Sequence, residues 1–351
     1  AVFGIPNVPS VPPFTLYNAQ VSVSYSLDFF GANRRMLEGL QAQTDYEAYE
    51  AAAARLTLAA NVVSTAIRQA ELQAQIDTTE QLLQAQARQV AITEARYQVG
   101  GVSLQDLHSQ RTLLAQTKAT LAPLQAQRQQ IDHQLAVYTG KAPAEASIPA
   151  FGLDDLQLPT ELPLTLPAVL VQRRPDVRAS EALWHQASAQ VGVASANLFP
   201  QLTIAGNAGT ERTNASQLVD GINVWSIGAK LMQPIFHGGE LRAQKRGAQA
   251  AYAAAAAAYE QTVLQALQQV ADSLRALEGD AQALKDQAEA TQQADANYRI
   301  AEQRYQSGGI SQLALLDAER QQLQSALDRS RAQANRDSDS VALLQSLGGG
   351  W

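Results

Sequence analysis

Apolar residues recur at helical spacing over most of the chain. The clearest stripe covers residues 263–288 in alternating steps of four and three, and a weaker version covers residues 56–74 and continues at seven-residue spacing through 76–97. Such spacing is typical of a coiled-coil seam. No proline occurs in residues 33–98, so a single helix there would extend roughly 100 Å at 1.5 Å per residue. The pattern predicts paired helices much longer than those of an ordinary globular domain.

Two glycine pairs interrupt the helical pattern at equivalent points of a long repeat. Residues 94–103 read EARYQVGGVS and residues 302–311 read EQRYQSGGIS, 208 positions later. Solenoid repeats have periods of about 20–50 residues, so this longer period indicates duplication of a half-molecule. Return helices are predicted over residues 104–138 and 311–347, and Pro123 should kink the first or end one of its hydrogen-bonded segments. We expect two helical hairpins with matching tips, although for any single stripe residue simple coiled-coil packing is the alternative interpretation.

Three short segments show the period of two that is typical of β-strands. Apolar and polar residues alternate over residues 17–27, 200–210 and 223–233. Strands of about ten residues with one apolar and one polar face match transmembrane β-barrels, where the apolar face meets lipid. The lipid-facing candidates are Val21, Val23, Tyr25, Trp225, Ile227 and Leu231. A soluble sheet would give the same alternation, but isolated strands in a helical chain need partners, which a barrel shared between protomers would supply.

Composition argues against several other classes of protein. The net charge of -7 and the lack of a Lys and Arg cluster argue against nucleic acid as a partner. The chain has no cysteine, hence no disulfide or thiolate metal site, and no run approaches the ~18 apolar residues of a membrane-spanning helix. Its four histidines lie far apart, and no nucleophile elbow or phosphate loop occurs. We therefore expect no enzyme, no cofactor and no metal site.

Several motifs occur in a distinctive order along the chain. Residues 170–181 read LVQRRPDVRASE, 196–202 read ANLFPQL, 233–243 read QPIFHGGELRA with LDFFG at 27–31 as its counterpart, and the chain ends in LGGGW. These motifs resemble the outer-membrane efflux protein family of TolC and OprM, most closely the NodT-type lipoprotein branch that works with RND pumps. The resemblance implies a mainly α fold with a small β part: long antiparallel coiled-coil helices in a periplasmic α-barrel, transmembrane β-barrel strands, and a TolC-like trimer.

The resemblance also divides the chain into segments. Outer-membrane barrel strands would occupy residues 1–32 and 198–236, the first helical hairpin 33–137 and an equatorial connection 138–175. A helix at 176–197 would lead into the second β-hairpin, and the second helical hairpin at 237–347 would precede a tail at 348–351. We expect an N-terminally incomplete family member that retains three strands, whose Pro-rich opening follows a lost first strand. The full-length form is expected to be lipid-anchored in the outer membrane of a Gram-negative bacterium and to extend into the periplasm.

The same resemblance implies that a periplasmic adaptor docks at both hairpin tips. The docking candidates are Val99, Gly100, Gly101, Val102, Ser307, Gly308, Gly309 and Ile310. Glycine permits the positive φ of a tight turn between helices and leaves the backbone open to close approach. Helix capping without docking is the alternative interpretation.

A periplasmic gate is implied at the same end. Its acidic candidates are Asp106 in the first copy and Asp317 in the second, where Ala314 aligns with Asp106. In three protomers these carboxylates would form a constriction that attracts cations. The residues that would hold it shut between protomers are Arg96, Tyr97, Arg304 and Tyr305. The alternative is that both aspartates are solvated residues in the first turn of a helix, favoured there by the helix dipole.

The function expected from these features is a passive trimeric conduit, the outer-membrane channel subunit of a tripartite RND-type efflux system. It would export drugs or other small toxic compounds, with a periplasmic adaptor, an inner-membrane RND pump and outer-membrane lipid as partners. The competing class is a periplasmic coiled-coil adaptor or scaffold. Such a protein would have compact β-rich domains on both sides of one hairpin, whereas here two hairpins alternate with strand pairs.

Overall fold

The computed structural model describes residues 15–155, 173–218 and 220–349. The elements in chain order are β1 (Tyr17–Leu27), α1 (Ala32–Gln98), α2 (Leu104–Tyr138), a 3-10 turn (Leu153–Asp155), α3 (Pro175–Ala196), β2 (Gln201–Arg212), a 3-10 turn (Ala215–Gln217), β3 (Val224–Met232), α4 (Glu240–Gln306) and α5 (Gln312–Ser346). The predicted mainly helical fold with a small β part is confirmed. Outside the described residues lie Pro6, Pro9, Pro12 and Pro13 of the opening, residues 170–172 of the RRPD motif, and the last two residues of LGGGW.

The two hairpins have helices of identical length. α1 and α4 each have 67 residues, and the return helices α2 and α5 each have 35. Each return helix is followed by a glycine with positive φ, Gly140 at 74° and Gly348 at 91°. These two glycines are again 208 positions apart, so the repeat extends from the tips to the far ends of the return helices.

Pro123 lies inside α2 without ending it. The helix continues from Leu104 to Tyr138. Of the effects predicted for Pro123, an end of the helix does not occur. A proline lacks the N–H of one intrahelical bond, and the remaining bonds of a 35-residue helix maintain its continuity.

The chain divides into two compact units. The sheet unit consists of Ala1–Tyr46 and Ser180–Tyr259, and the hairpin unit consists of Glu47–Ala179 and Glu260–Trp351. Both hairpin tips lie in the hairpin unit. No helix in the described part of the chain is long and apolar enough to cross a membrane.

The sheet unit contains one antiparallel sheet in the order β1-β2-β3. All three strand predictions are confirmed, and β1 has the predicted bounds. At the end of β1 the carboxylate of Asp28 accepts hydrogen bonds from the backbone N–H groups of Asn33 (3.1 Å) and Arg34 (2.8 Å), which satisfies the first turn of α1. Phe30 stacks on Phe199 with ring centroids 4.6 Å apart, so the LDFFG and ANLFPQL motifs are in contact.

The core of the hairpin unit joins the two hairpins. Its buried cluster contains residues from α1, from α5 and from the 3-10 turn, and they are Ala60, Ile67, Ala70, Leu153, Ala334 and Val341. Val63 and Ala74 pack against this cluster. The seam predicted for residues 56–74 is thus confirmed in its central part, and its partner is the return helix of the other hairpin.

Further along α1, burial differs from the prediction. The stripe at seven-residue spacing is only partly buried, since Tyr97 is exposed, while polar residues such as Gln86, Gln89 and Thr93 are buried. The reason is that α1 contacts two neighbours, α2 through Gln69 and Asp132 and α5 through an ion pair described below. A helix between two partners buries two faces, which a single-seam interpretation misses.

On α4 the predicted stripe is incompletely covered. Val270 is buried, but Leu274 and Ala281 are exposed. Nearer the tip the buried positions are Thr291, Ala294 and Ala301. The apolar stripe of α4 is therefore only partly covered within this chain.

Candidate functional site

The first tip is a tight turn built by glycine. Gly100 has a φ of 74°, and its N–H donates to the carbonyl of Tyr97 at 2.9 Å. The N–H of Gly101 donates to the carbonyl of Arg96 at 2.8 Å, and a Cβ at Gly101 would approach that carbonyl oxygen to 3.3 Å. The α1 C-terminus is thereby capped by the turn that leads into α2.

Ser103 and Asp106 start the return helix with a capping box. The Ser103 hydroxyl accepts from the N–H of Asp106 at 3.1 Å, and Oδ2 of Asp106 accepts from the N–H of Ser103 at 3.1 Å and from its hydroxyl at 2.7 Å. These hydrogen bonds from Ser103, through its side chain and its backbone, hold the pKa of Asp106 below its usual value. Asp106 therefore lies in the first turn of α2, as expected if it is a residue that stabilises the start of the helix.

The second tip repeats the turn but not the capping box. Gly308 has a φ of 76°, its N–H donates to the carbonyl of Tyr305 at 3.0 Å, and the N–H of Gly309 donates to the carbonyl of Arg304 at 2.7 Å. Ser311 accepts from the N–H of Ala314 at 3.2 Å. Because Ala314 has no side-chain acceptor, the reciprocal bond is missing.

Asp317 lies elsewhere than expected. α5 begins at Gln312 and has no acidic residue in its first turn, so Asp317 belongs to the second turn and its placement in the first turn is wrong. Its side chain is 60% exposed and lies 4.0 Å from Nε of Arg320. Asp317 thus lies three positions after Ala314, which aligns with Asp106, and at this exposed position an ion pair contributes little.

The backbone of both tips is exposed to solvent, and three nearby side chains make no hydrogen bond or ion pair within the described residues. Val99 is 82% exposed, residues 100–101 and 307–309 are exposed, and Val102 and Ile310 are half-buried. Tyr305 donates a hydrogen bond to Gln312 of its own hairpin at 3.1 Å. The side chains of Arg96, Tyr97 and Arg304 have no hydrogen-bond or ion-pair partner among the described residues. The predicted gate residues are thus near the tips but are not joined to one another within this protomer.

Charged contacts connect the helices above the tips. Arg88 on α1 forms an ion pair with Glu319 on α5 at 2.6 Å, and Arg111 on α2 forms one with Glu94 on α1 at 2.7 Å. Burial raises the pKa of Tyr298, and the negative charge of Glu319 adds to the effect. The ion pair between Arg88 and Glu319 joins the two hairpins, although these residues are 231 positions apart in sequence.

The two faces of the sheet differ sharply. Opposed residues in an antiparallel sheet share a face, and four rows cross the three strands on the apolar face: Val21–Ala208–Trp225, Val23–Gly206–Ile227, Tyr25–Ile204–Ala229 and Leu27–Leu202–Leu231. The six predicted lipid-facing side chains all lie in these rows and are each 66–75% exposed. The other face carries serines and amides, with Ser226 donating to Asn207 at 2.7 Å.

Arg174, in the RRPD motif, has a structural role that the sequence did not indicate. It is 7% exposed, and its guanidinium donates to the carbonyl of Ser346 at 2.9 Å, to Gln269 at 2.8 Å and to the carboxylate of Asp176 at 2.7 Å. These contacts tie the start of α3 to α4 and to the last turn of α5. Burial by itself would raise the pKa of Asp176, but the bonds and charge of Arg174 hold it below its usual value.

A second unexpected feature is a pair of carboxyl groups across the α4–α5 seam. Asp280 on α4 lies within hydrogen-bonding reach of Asp339 on α5. Oδ2 of Asp280 is buried without a donor among the described residues. Burial raises the pKa of Asp280, and the neighbouring carboxyl group of Asp339 raises it further. A like-charged pair between facing helices gives no periodic signal in a sequence, so only the structure identifies it.

Comparison with known proteins supplies the family. The family model described as outer membrane efflux protein matches residues 10–141 and 166–349. A relative in Pseudomonas putida, the pyoverdine export outer membrane protein OpmQ, is 30% identical over 96% of this chain and 71% of its own. The outer membrane protein OprJ of Pseudomonas aeruginosa is 30% identical over 93% of this chain and 68% of its own.

The fold agrees with that match. The crystal structure of the outer membrane protein VceC from Vibrio cholerae superposes on 96% of this chain and 87% of its own with a TM-score of 0.81 and 26% identity. The chain therefore belongs to the outer membrane efflux protein family, which is a family of transport proteins rather than enzymes.

Proposed function

We propose that this chain is the channel subunit of a tripartite RND-type efflux system in the outer membrane of a Gram-negative bacterium. It works as a homotrimer and as a passive conduit for drugs or other small toxic compounds, with its hairpins in the periplasm and, in the natural precursor, a lipid anchor. Residues 1–32 and 198–236 supply the barrel, and residues 33–137 and 237–347 supply the tunnel. The observation that supports this most strongly is the sheet with one apolar and one polar face.

The sheet suits a barrel wall in three respects. Its strands have 9–12 residues, which matches the roughly 9–11 residues of a tilted strand that crosses a bilayer. The apolar rows with Val21 and Trp225 would face lipid, and the polar rows with Ser22 and Asn207 would face water in the lumen. β1 and β3 are edge strands of the sheet, and strands of neighbouring protomers would complete their hydrogen bonding.

The exposed tips support adaptor docking. Val99 presents an apolar side chain to solvent at the end of the first hairpin, and the glycines beside it leave the backbone accessible. The second tip offers the same backbone through Gly308 and Gly309. Two equivalent sites per protomer would give a trimer six places at which a periplasmic adaptor could contact the channel.

The free side chains near the tips support a gate between protomers. Arg96, Tyr97 and Arg304 have no partner within the described chain, so they are available to a neighbouring protomer. The carboxylates of Asp106 and Asp317 would supply the negative charge of the constriction. Energy for transport comes from the partner pump, and the channel opens when the hairpins separate at their tips.

A charge placed on either face of β1 tests the channel proposal. Val23 lies on the apolar face of the sheet, and the adjacent residue Ser24 lies on the polar face. Val23→Lys places a charge on the lipid-facing side and should make folding into the membrane less favourable by about 2–4 kcal/mol near the bilayer midplane. The variant should therefore be absent from the detergent-extracted outer-membrane fraction and should show no planar-bilayer conductance. Ser24→Lys, the matched control, should leave both unchanged. Recovery of the unmodified chain in the periplasmic wash would instead support a coiled-coil adaptor or scaffold.

A double substitution tests the gate separately. Asp317→Ala with Arg304→Ala should increase ion conductance in the closed state, because the charged contacts between protomers are removed. Asp328→Ala with Arg331→Ala removes a charged pair farther along α5 and serves as the control. Unchanged conductance in the first variant would contradict the gate assignment without affecting the channel.

A further inference from the structure

A cavity of about 260 Å³ lies beside the first tip, in the hairpin unit. α1, the start of α2 and the start of α5 all contribute to its wall, so both hairpins border it. The apolar part of the wall consists of Ile92, Val102, Leu313 and Leu316. Pockets for drug-sized ligands have volumes of roughly 300–1,000 Å³. This cavity therefore suits a smaller molecule that has one apolar side.

A glutamine amide also borders the cavity without a hydrogen-bond partner in the described chain. Gln89 is 4% exposed, and its side chain makes no hydrogen bond with any residue in the described ranges. The amide oxygen and nitrogen of Gln89 retain contact with solvent, unlike the buried Oε1 of Gln86. A polar ligand in the cavity would replace water at this amide with a direct hydrogen bond.

Two groups of opposite charge also border the cavity without pairing with each other. The guanidinium of Arg96 has no ion pair in the described chain. Oδ1 of Asp106 has no donor there, because Ser103 binds to Oδ2. Arginine binds a carboxylate through parallel hydrogen bonds, and a carboxylate oxygen accepts from an ammonium group. The cavity thus offers a complement for both charges of one ligand.

We propose that this cavity binds a small zwitterion with one apolar side, of the chemical class of the apolar α-amino acids. The ligand's carboxylate binds Arg96, its ammonium binds Asp106, and its side chain packs against Leu313 and Leu316. Because the site includes residues of both hairpins, the ligand holds them together and opposes their separation. This last consequence rests on the proposed channel function, whereas the binding itself does not.

Calorimetric titration of the 351-residue chain in detergent with L-phenylalanine tests the binding. We expect saturation with a Kd of about 1 mM, since Arg96 and Asp106 are partly hydrated and each exposed ion pair contributes little. Phenylpropionate lacks the ammonium and phenethylamine lacks the carboxylate, and each should bind at least about tenfold more weakly. Equal affinity for either of these compounds, or no saturation with the amino acid, would overturn the proposal.

Two glutamines on α1 provide a matched pair of variants. Gln89→Leu keeps the size of the side chain but removes the amide, and should weaken L-phenylalanine binding about tenfold. Gln86 is equally buried, has an amide oxygen without a described donor, and does not line the cavity, so Gln86→Leu should leave the affinity unchanged. In Leu313→Trp the larger side chain should fill the cavity and abolish binding. Leu313 is partly exposed, so the fold should tolerate this change. Equal losses in both glutamine variants would assign the effect to α1 packing and overturn the site.

Planar-bilayer conductance separates this inference from the channel function. L-Phenylalanine at about ten times its Kd should lower the open probability of the unmodified chain and have no effect on Gln89→Leu. A chain that conducts but does not bind L-phenylalanine overturns the cavity proposal and leaves the channel intact. A chain that binds the amino acid and never conducts supports the cavity and overturns the channel.

Discussion

The first hairpin, α1 with α2, and the second, α4 with α5, share their geometry and differ in their chemistry. Their helices have equal lengths, their tips turn through glycines at φ 74° and 76°, and a serine caps each return helix. This geometry requires few residue types, since glycine tolerates positive φ and serine accepts a backbone N–H. Divergence at the other positions can therefore change surface and seam chemistry without changing the hairpin.

The seam shows how far that divergence has gone. Leu72 on α1, which is 1% exposed, and Ile131 on α2 are the positions equivalent to Asp280 and Asp339. At this level the first hairpin has apolar side chains and the second has two carboxyl groups. Apolar packing stabilises a seam at every pH, whereas two adjacent carboxylates repel each other once both are ionised. The second hairpin is therefore weaker here, and Arg174 holds its far end.

The largest expected effect is the loss of that attachment. Arg174→Ala removes donors to Ser346 and Gln269 in a buried site and should lower the free energy of unfolding by about 2–3 kcal/mol. Hydrogen exchange should accelerate in the last turn of α5 and remain unchanged in the last turn of α2. The exposed Arg173 provides the control, as Arg173→Ala should have no effect. Equal acceleration in both return helices would contradict a role specific to the second hairpin.

Substitution of the tip glycines tests the shared geometry. Gly100→Ala and Gly308→Ala should each cost about 1–2 kcal/mol, because a Cβ disfavours the left-handed backbone. No atom lies within 4 Å of either added Cβ, so the two costs should be equal. Chemical denaturation measures both. Gly279→Ala, within α4, should instead stabilise by about 0.5–1 kcal/mol. A clear difference between the two tips would show that their turns are not equivalent.

Transfer of the apolar pair tests the seam. The double variant Asp280→Leu, Asp339→Ile should be more stable at neutral pH, by less than about 1 kcal/mol because the pair is partly hydrated. The folded pKa of Asp280 is raised above 3.8, so its contribution to stability is full below that pH and is lost as pH rises through the folded value. The advantage of the variant should thus grow between about pH 4 and pH 7 in urea unfolding.

The experiment on the Asp280–Asp339 pair needs a control on the same helix. Asp286→Asn changes an exposed carboxylate on the same helix and serves as the control. An advantage of the double variant that is the same at both pH values would mean that packing, and not the charge of the pair, limits the seam.

The smallest effect should come from exchange of the capping chemistry. Asp106→Asn should speed hydrogen exchange in the first turn of α2, and Ala314→Asp should slow it in the first turn of α5. The pKa of Asp106 is lowered, so its contribution is present above pH 3.8 and is lost as pH falls through the folded value. The difference between the unmodified chain and Asp106→Asn should therefore vanish in acid. If it persists there, the carboxylate charge is not what stabilises the turn.

The sequence contained enough information for the elements and the tips. β1 could be predicted with its bounds because apolar and polar residues alternate strictly over residues 17–27. The tips could be predicted because Gly-Gly followed by serine both ends one helix and starts the next. Such signals are local, and each involves residues within a few positions of one another.

The remainder depends on contacts between distant residues. The buried polar face of α1 follows from its two neighbours, and Arg88 meets Glu319 across 231 positions. Arg174 meets Ser346 across 172 positions. Periodicity identifies which face of a helix is apolar but not how many partners cover the helix. For that reason the sequence does not identify the Asp280–Asp339 pair, whereas the position of Asp317 in the second turn follows from the local cap at Ser311.

The equal lengths of the hairpins have a consequence for how this protein can evolve. α1 and α5 pack along each other, so a single-residue insertion in one hairpin would shift its tip by about 1.5 Å and rotate its face by about 100° relative to the other. Length changes are therefore tolerated only in pairs. A homologue with a longer first hairpin should carry a compensating insertion in its second, at the equivalent turn of the helix.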